Sequence, residues 1–405
     1  MQLPPLLSAM RRNMVGVIVI SIQMALTLAI MCNGLFIIHD YAEITRQPSG
    51  VDEADTFAMR NLWVGHPADL AARMQTDLAM LRSLPGVVDA YATNAYPLAN
   101  NGTTDDIVLT KDQVSPTTQA AVYYADDHTI HTLSLKLIAG RNFSAAEVVD
   151  YGGWQALPPV GVIITRDLAD KLFPGGGALG RSIYIDSRDY SNLIIGIVDR
   201  LQMPFVGGSL RQINGNSFMA PVRNIVPYSN YVVRVEPGRL NSVMQTAQRK
   251  LFEINRARVM VKVQTLAEAR IDAYRGQRGV EVTLGIVCSA MLLVTAFGIV
   301  GLTSYWVTQR RRQIGIRRAL GATKSAIVRH FQTENLIIAS AGTVLGVFLA
   351  ITLNLWMVSN FEVKRLNMVY PLIGAVVVLV LGQLAALWPA LRAASIPPAL
   401  ATRSG

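Results

Sequence analysis

The sequence predicts a membrane protein with four transmembrane α-helices and a large external α+β domain made of two subdomains. Three observations predict this fold class. Four long apolar stretches contain no Asp, Glu, Lys, Arg or His. The segment between the first two stretches shows both helix-type and strand-type hydrophobic patterns. The net charge of +10 lies in the short segments that flank the apolar stretches.

Each apolar stretch is long enough to cross a bilayer as a helix, which takes about 20 mostly apolar residues. The predicted transmembrane helices are residues 14–38, 282–307, 335–358 and 370–391. The first is not a cleavable signal, because its apolar part is longer than a signal-peptide core and no small-x-small site follows it. Both cysteines, Cys32 and Cys288, fall inside these helices, so we expect no disulfide in the external domain.

The charge distribution indicates topology. Residues 39–281 contain 24 Lys/Arg and 25 Asp/Glu, whereas the rest of the chain contains 13 Lys/Arg and two Asp/Glu. Basic residues in short flanks mark the cytoplasmic side of a membrane, and here they include Arg11, Arg12, Arg392 and Arg403. The segments predicted to be cytoplasmic are residues 1–13, 308–334 and 392–405. We expect the basic excess to face anionic lipid and predict no nucleic-acid partner.

The remaining segments, residues 39–281 and the short loop 359–369, are then external. Lys364 and Arg365 in the short loop are exceptions to the charge rule, but the more numerous basic residues of the other flanks outweigh them.

Strand–helix–strand patterns occur at both ends of the external segment. The predicted elements are 57–64, 67–84 and 87–93 at one end, and 231–235, 240–255 and 259–263 at the other. In the first helix, Leu70, Met74, Leu78 and Leu81 recur at helical spacing. Two such units that fold together predict a ferredoxin-like, porter-type body.

The middle of the external segment, about residues 100–230, is rich in short β-type runs and turns. Residues 160–164, 182–185 and 193–198 combine β-branched side chains with flanking Gly, Pro and Asp. We interpret this stretch as a β-rich subdomain inserted into the ferredoxin-like body. Residues 265–281 predict a polar stalk helix that leads into the second transmembrane helix.

A glycine-rich run at residues 175–182, GGGALGRS, resembles the phosphate-binding pattern GxxxxGK[ST], with Arg181 in place of the lysine. That motif needs a preceding strand and a following helix, so that the helix N-terminus faces the phosphates. Here the order is reversed, because Thr165 precedes a predicted helix over 166–173 and a strand follows the run. The context predicts a turn. The sequence offers no other ATP-binding candidate.

The sequence predicts no catalytic residue and no metal site. His128 and His131 lie beside Asp126 and Asp127, but a third clustered ligand group at the usual spacing is missing. A polar surface loop explains these residues as well. No Ser/His/Asp or Cys/His arrangement is visible.

The apolar stretches carry no ionisable relay, which argues against proton- or ion-coupled secondary transport. Gly342 and Gly346 form a GxxxG pair that allows close helix packing. The pair fits packing within the chain and also packing between two copies.

The most informative stretch is residues 309–331, QRRRQIGIRRALGATKSAIVRHF, which carries seven Arg/Lys between two apolar stretches. On a helical wheel, an apolar face opposes a basic one: Ile316, Ala319 and Leu320 against Arg310, Arg317 and Arg318. Arg312 and Ile314 break this pattern. Gly321 ends the short helix and Thr323 caps the next. The stretch fits a loop that only sets topology, and it fits a docking helix for a cytoplasmic partner.

Residues 311–346, RRQIGIRRALGATKSAIVRHFQTENLIIASAGTVLG, resemble the signature of MacB/FtsX-type ABC transporter permeases. The tail PALRAASIPP is also similar to that family. The external segment resembles the family's MacB-like periplasmic core domain in HTIHTLSLKLIAGRNF, residues 128–143, and in VIITRDLADKLFPGGGALGRSIYI, residues 162–185. The resemblance covers nearly the whole chain.

The resemblance implies a mechanotransmission permease of the bacterial inner membrane, with cytoplasmic termini and a periplasmic core domain. Two permease copies, or one copy and a paralogue, pair in the membrane, and ATP binding to the ATPase subunits moves the external domains. In the family, the loop between the second and third helices is a coupling helix that rests on the ATPase. The corresponding residues here are Ile314, Gly315, Ile316, Arg317, Arg318, Ala319, Leu320, Gly321 and Ala322.

The resemblance also implies partners. We expect a separate ABC ATPase that holds ATP and Mg, and no cofactor on this chain, because MacB itself carries its ATPase domain ahead of the first helix and this sequence begins shortly before Arg11. A periplasmic adaptor and an outer-membrane channel are further expected partners. Gln313 departs from the family, which usually has an acidic residue there.

Efflux of drugs, peptides or other substrates through a tripartite pump is the favoured function. Lipoprotein release, and FtsX-like signalling to a periplasmic enzyme, are the alternatives. An external domain with two subdomains favours transport. The sequence does not indicate a substrate.

Overall fold

The computed structural model describes residues 14–65, 67–152, 157–186, 190–207, 213–361 and 363–395. Arg11, Arg12 and Arg403, which the topology prediction uses, lie outside the described residues. The chain divides into two compact units. We call Met1–Arg46 with Gly276–Gly405 the membrane unit and Gln47–Arg275 the α+β unit.

The helices are α1 (Met14–Thr45), α2 (Leu70–Ser83), α3 (Thr129–Leu133), α4 (Arg166–Leu172), α5 (Leu240–Ile254), α6 (Leu266–Ala273), α7 (Arg275–Gln309), α8 (Arg311–Ala319), α9 (Lys324–Phe361) and α10 (Val369–Ala394). The strands are β1 (Thr56–Trp63), β2 (Val87–Thr93), β3 (Thr103–Val108), β4 (Thr118–Tyr124), β5 (Leu137–Gly140), β6 (Val149–Tyr151), β7 (Val162–Thr165), β8 (Ser182–Ile185), β9 (Ser191–Val198), β10 (Ser217–Ala220), β11 (Val222–Asn224), β12 (Tyr228–Val235) and β13 (Arg258–Thr265).

Within the described residues, α1, α7, α9 and α10 are long and apolar enough to cross a membrane, which confirms the prediction of four spans. α9 begins at Lys324, directly after the predicted cap residue Thr323, so the helix has polar first turns ahead of the apolar stretch 335–358.

The GxxxG pair of α9 packs against α1 of the same chain. A Cβ atom added to Gly342 would lie 2.8 Å from the backbone oxygen of Ser21, and one added to Gly346 would lie 3.0 Å from Cα of Ala25. Both glycines therefore allow two helix backbones to approach closely. Asn33 of α1 reinforces this contact, since its Nδ2 donates to the Ala350 carbonyl at 3.1 Å.

Lys364, one of the two exceptional basic residues of the short loop, forms an ion pair. Lys364 Nζ lies 3.0 Å from the carboxylate of Asp40, whose side chain is 6% exposed at the end of α1. Asn354 of α9 also accepts a hydrogen bond from the Leu366 amide at 2.8 Å. Residues 363–368 are thus bound to α1 and α9. The ion pair with Asp40 explains why a basic residue occurs in a loop that is predicted to be external.

The α+β unit contains the predicted ferredoxin-like body. Its four antiparallel strands have the order β13-β1-β12-β2, and α2 and α5 pack on one face through Met74, Leu78 and Val243. α2 begins at Leu70 instead of 67, because residues 68 and 69 form a turn. The two strand–helix–strand patterns of the sequence therefore fold into one sheet.

The inserted subdomain is a small barrel. Strands β9, β7, β10, β4, β3 and β8 follow one another, and the pairing of β8 with β9 closes the ring. Its interior is filled by apolar residues, with Leu168 and Leu172 of α4 packed against Ile107 and Phe218. Thr165 caps α4 as predicted, because its hydroxyl accepts a hydrogen bond from the Leu168 amide.

The predicted stalk helix over 265–281 consists of two helices. α6 ends at Ala273, and α7 begins at Arg275. Tyr274 between them has no exposed surface, and its hydroxyl accepts a hydrogen bond from Gln202 Nε2 at 2.6 Å. Burial of this tyrosine fixes the break, which the polar sequence pattern alone does not reveal.

Candidate functional site

The loop between α7 and α9, residues 310–323, contains α8 and is called the basic loop. Gly321 has a φ of +92°, a conformation that favours glycine, so the chain can turn back and the Ala322 amide donates to the Arg317 carbonyl at 3.0 Å. Thr323 then caps α9, as predicted, by accepting a hydrogen bond from the Ala326 amide at 3.2 Å. The two caps define a short helix with sharp ends.

Arg310 fixes the start of the basic loop. Its Nη1 lies 3.0 and 2.8 Å from the two carboxylate oxygens of Glu334 on α9. The Glu334 side chain is 2% exposed, so its charge depends on this arginine. The Arg310 guanidinium also lies 5.9 Å from the centre of the Trp306 ring. The pair links the end of α7 to α9.

Arg318 and two buried residues fix the end and the inner face of α8. Arg318 Nη1 donates to the Ala394 carbonyl, the last residue of α10, at 3.0 Å. Ile314 and Gly315 are buried. Ile314 belongs to an apolar cluster built from α7, α9 and α10: Val307, Ile327, Phe331, Ala390, Ala393 and Ala394. The basic loop is thus held by three membrane helices.

The outer side of α8 is exposed and carries apolar and basic residues side by side. Leu320 is 83% exposed and Ile316 is 47% exposed, and Arg317, Ala319 and Gly321 are also exposed. Ala322 is half-buried. The helical wheel grouped Ile316, Ala319 and Leu320 correctly, but it did not show that this group faces outward while Ile314 faces inward. Exposed apolar residues beside arginines are typical of protein interfaces.

The wheel also placed Arg310, Arg317 and Arg318 together, whereas the structure gives them different environments. Arg310 and Arg318 bind groups of the same chain, and Arg317 is exposed. Sequence reasoning missed the role of Glu334. Its position as the one acidic residue close to the seven basic residues was the available signal.

The histidines that could have suggested a metal site share a carboxylate instead. Nδ1 of His128 lies 2.9 Å from Asp89 Oδ1, and Nδ1 of His131 lies 2.8 Å from Asp89 Oδ2. Because both rings turn Nδ1 toward Asp89, their Nε2 atoms point away from it. Across the described ranges, no group of three or more His, Cys, Asp or Glu residues could hold a metal ion.

The glycine-rich run at residues 175–182 is a turn, as its context predicted. It follows α4 and precedes β8, and Gly176, Gly177 and Gly180 have positive φ angles. No helix N-terminus follows the glycines to face a phosphate.

Four apolar helices, with an α+β unit inserted between the first and the second, define a multi-pass membrane protein. The chain belongs to the MacB/FtsX-type ABC transporter permeases. Residues 18–273 match the MacB-like periplasmic core domain, and residues 285–398 match the FtsX-like permease C-terminal domain. The α+β unit is therefore a periplasmic core domain, and a permease of this class works with an ATPase subunit.

Curated relatives include fused and permease-only proteins. The macrolide export ATP-binding/permease protein MacB of Chromobacterium violaceum is 25% identical over 53% of this chain. This match spans 32% of that protein, so the chain covers about a third of its length. The uncharacterized ABC transporter permease YvrN of Bacillus subtilis is 23% identical over 70% of this chain and 69% of its own length.

Among solved structures, the periplasmic region of MacB from Actinobacillus actinomycetemcomitans is similar to this chain. The match has a TM-score of 0.35 and 11% identity, and it covers 56% of this chain and 95% of that structure.

Proposed function

We propose that this chain couples ATP hydrolysis by a separate cytoplasmic ATPase to movement of its periplasmic core domain, and that the ATPase binds the outer face of the basic loop. One observation carries the proposal: Leu320, which directly follows α8, is 83% exposed, whereas the inner side of the basic loop is bound to three membrane helices. A partner that binds Leu320 and Ile316 covers apolar surface that is otherwise exposed.

The anchoring of the basic loop supports a role in transmission. Arg310 connects the loop to Glu334 of α9, and Arg318 connects it to the end of α10. A displacement of α8 by the ATPase therefore pulls on several membrane helices together. Ile314, buried among those helices, adds a close-packed contact to the two polar ones.

The match pattern supports a separate ATPase. Both matching family models describe permease segments, at residues 18–273 and 285–398. YvrN, a relative named as a permease alone, aligns over 69% of its length, whereas the fused MacB of Chromobacterium violaceum aligns over 32%. We also propose that the chain lies in the inner membrane with cytoplasmic termini, as one of two permease subunits. The basic residues of the short flanks support this orientation.

Export is the transport direction that we propose. The MacB relative is named for macrolide export, and the core domain here contains both the ferredoxin-like body and the barrel. A periplasmic adaptor and an outer-membrane channel complete the proposed pump. The presence of two subdomains in the core domain supports transport over signalling alone.

Binding of the ATPase to outer-face variants tests the docking site. The permease is placed in lipid nanodiscs and titrated with its proposed ABC ATPase subunit. Leu320→Asp should raise the dissociation constant by about tenfold or more, because loss of a hot-spot residue costs about 2 kcal/mol or more and the new carboxylate would be desolvated in the interface. Val64→Asp serves as the control, since Val64 is 59% exposed in the core domain. Equal binding of wild type and Leu320→Asp would rule out this docking site.

A further inference from the structure

Two chain segments join the α+β unit to the membrane helices. Residues 46–53 follow α1, and α6 with Tyr274 leads into α7. Since these are the covalent connections between the units, a displacement of α1 or α7 enters the core domain through them. Firm contacts between the two segments, and between the segments and the barrel, are then needed to transmit the displacement into the core domain.

An ion pair binds the two segments to each other. Nε and Nη2 of Arg270 lie 2.6 Å from Oε2 and Oε1 of Glu53, respectively. Nη1 of Arg270 also donates to the Gln47 carbonyl at 3.1 Å, and Ser49 donates to Glu53. A bidentate arginine–carboxylate contact fixes both position and orientation.

The Arg270–Glu53 pair is largely buried and is the ion pair that joins the two connecting segments. The Arg270 and Glu53 side chains are 17% and 20% exposed. Burial opposes the charge of Glu53, but hydrogen bonds from Arg270 and Ser49 outweigh it and hold the pKa of Glu53 below its ordinary value. Among the described ion pairs, this is the one that joins the two segments, whereas Asp272 pairs with Lys262 and Arg275 of its own neighbourhood.

Gln202, which lies shortly after barrel strand β9, forms hydrogen bonds with both segments. Its backbone amide donates to the Ser49 carbonyl at 2.9 Å, and its Nε2 donates to the Tyr274 hydroxyl at 2.6 Å. Gln202 is 3% exposed and Tyr274 is fully buried. Gly50 has a φ of +87°, and a Cβ atom there would lie 2.1 Å from the Arg200 oxygen, so only glycine permits this approach.

We propose that Glu53, Arg270, Gln202 and Tyr274 form a junction clamp that positions the core domain, so that both entering segments and the barrel move as one body when the ATPase binds nucleotide. The inference rests on the proposed function and adds the residues that carry the movement into the periplasm. Glu53 and Arg270 couple the segments, and Gln202 with Tyr274 couples them to the barrel.

Hydrogen exchange in the intact complex tests the clamp. The full-length permease and its ATPase are placed in nanodiscs, and amide exchange is compared with and without the non-hydrolysable nucleotide AMP-PNP. Without nucleotide, Glu53→Gln should speed exchange of the Gln202 amide by about tenfold, because a hydrogen-bonded charge is lost beside it. Unchanged exchange in the barrel core shows that the variant is folded.

The response to nucleotide separates transmission from stability. In the wild type, AMP-PNP should change exchange both in the basic loop and at residues 200–203. Glu53→Gln should keep the response of the basic loop and lose that of residues 200–203. Arg270→Lys should give an intermediate response, because it keeps the charge and loses the bidentate contact. Asp272→Asn, which breaks neighbouring exposed pairs, should behave as the wild type.

The remaining outcomes overturn one proposal or the other. A Glu53→Gln complex with the full wild-type response at residues 200–203 would overturn the clamp while the proposed function stands. A wild-type complex without any response in the basic loop would overturn the proposed function, and the clamp with it. A wild-type response confined to the basic loop would contradict transmission into the core domain.

Discussion

Arg310 and Glu334 form an ion pair in which one guanidinium nitrogen lies 3.0 and 2.8 Å from the two carboxylate oxygens. Glu334 is 2% exposed and Arg310 is 15% exposed at their side chains. A carboxylate this deeply buried is costly without its cation. The pair therefore requires the start of the basic loop and α9 to stay together, and it makes the loop a firm attachment point.

Loss of this arginine should destabilise the membrane unit. Arg310→Gln leaves the Glu334 charge buried and unpaired, and we expect a loss of about 3 kcal/mol, the usual result of breaking a buried pair from one side. The thermal unfolding midpoint of the purified permease in detergent measures this effect. Arg311→Gln is the matched control, because Arg311 is exposed. A similar midpoint for both variants would show that the pair contributes little.

The glycines of α9 should tolerate no larger residue. Gly346→Leu forces side-chain atoms into the backbone of α1, where a Cβ atom alone would lie 3.0 Å from Cα of Ala25. We expect a loss of about 2 kcal/mol or more from overpacking. Gly301→Leu is the control, because no atom lies within 4 Å of a Cβ at that position. If Gly346→Leu altered only the association of two permease copies, and not unfolding, packing within the chain would be the wrong explanation.

The ferredoxin-like body depends on a second buried ion pair. Arg258 Nη1 and Nη2 each lie 2.8 Å from an Asp77 oxygen, the Tyr231 hydroxyl donates to Asp77 at 2.7 Å, and the Arg258 guanidinium lies 4.2 Å from the centre of the Trp63 ring. Asp77→Asn should cost about 3 kcal/mol in unfolding free energy. Glu253→Gln, from an exposed pair with Lys250, should leave the unfolding free energy nearly unchanged. Equal losses in denaturant titrations would contradict this ranking.

Asp105 should make the core domain less stable at neutral pH than at acidic pH. Burial, and then the charges of Asp186 and Asp106, raise the pKa of Asp105 from 3.8 to about 6. Between these values the folded state holds a proton that the unfolded state has lost. The contribution of Asp105 to stability is therefore largest below pH 4 and declines as the pH rises through 6.

Replacing Asp105 by asparagine removes this penalty. Asp105→Asn should raise stability at pH 7.5 by about 1 to 2 kcal/mol, allowing for water at its partly exposed side, and should change it little at pH 4. Asp112→Asn, at an exposed position, serves as the control. The measurement is the unfolding midpoint of the wild type and of both variants at pH 4 and at pH 7.5. A gain of equal size at both pH values would show that charge is not the cause.

Local patterns allowed much of the fold to be predicted. The four spans follow from uncharged apolar stretches, and the ferredoxin-like body follows from two strand–helix–strand units. The closure of the barrel could not be predicted, because β10 pairs in parallel with β4 and β8 pairs with β9 and β3 through contacts that no local pattern encodes. The break at Tyr274 was missed for the same reason, since this tyrosine is buried and bonded to Gln202, which is distant in sequence.

The candidate site was predicted in part. Gly321 and Thr323 marked the ends of the helices, because cap residues carry their own local signal. The orientation of α8 was not predictable, since Ile314 and Ile316 lie two residues apart on a helix of nine residues and either could have been the buried one. Contact with α7, α9 and α10 selects Ile314 for the interior.

The central claim is that the outer face of the basic loop contacts an ATPase, and photo-crosslinking from position 320 tests it most directly. A benzophenone amino acid replaces Leu320 in the full-length permease, which is produced together with the proposed ATPase subunit and irradiated in membranes. A second permease carries the same group at Val344, which is 73% exposed on α9. We predict a crosslink to the ATPase from position 320 and none from position 344. A crosslink to lipid alone from position 320, or equal ATPase crosslinks from both positions, would contradict the account.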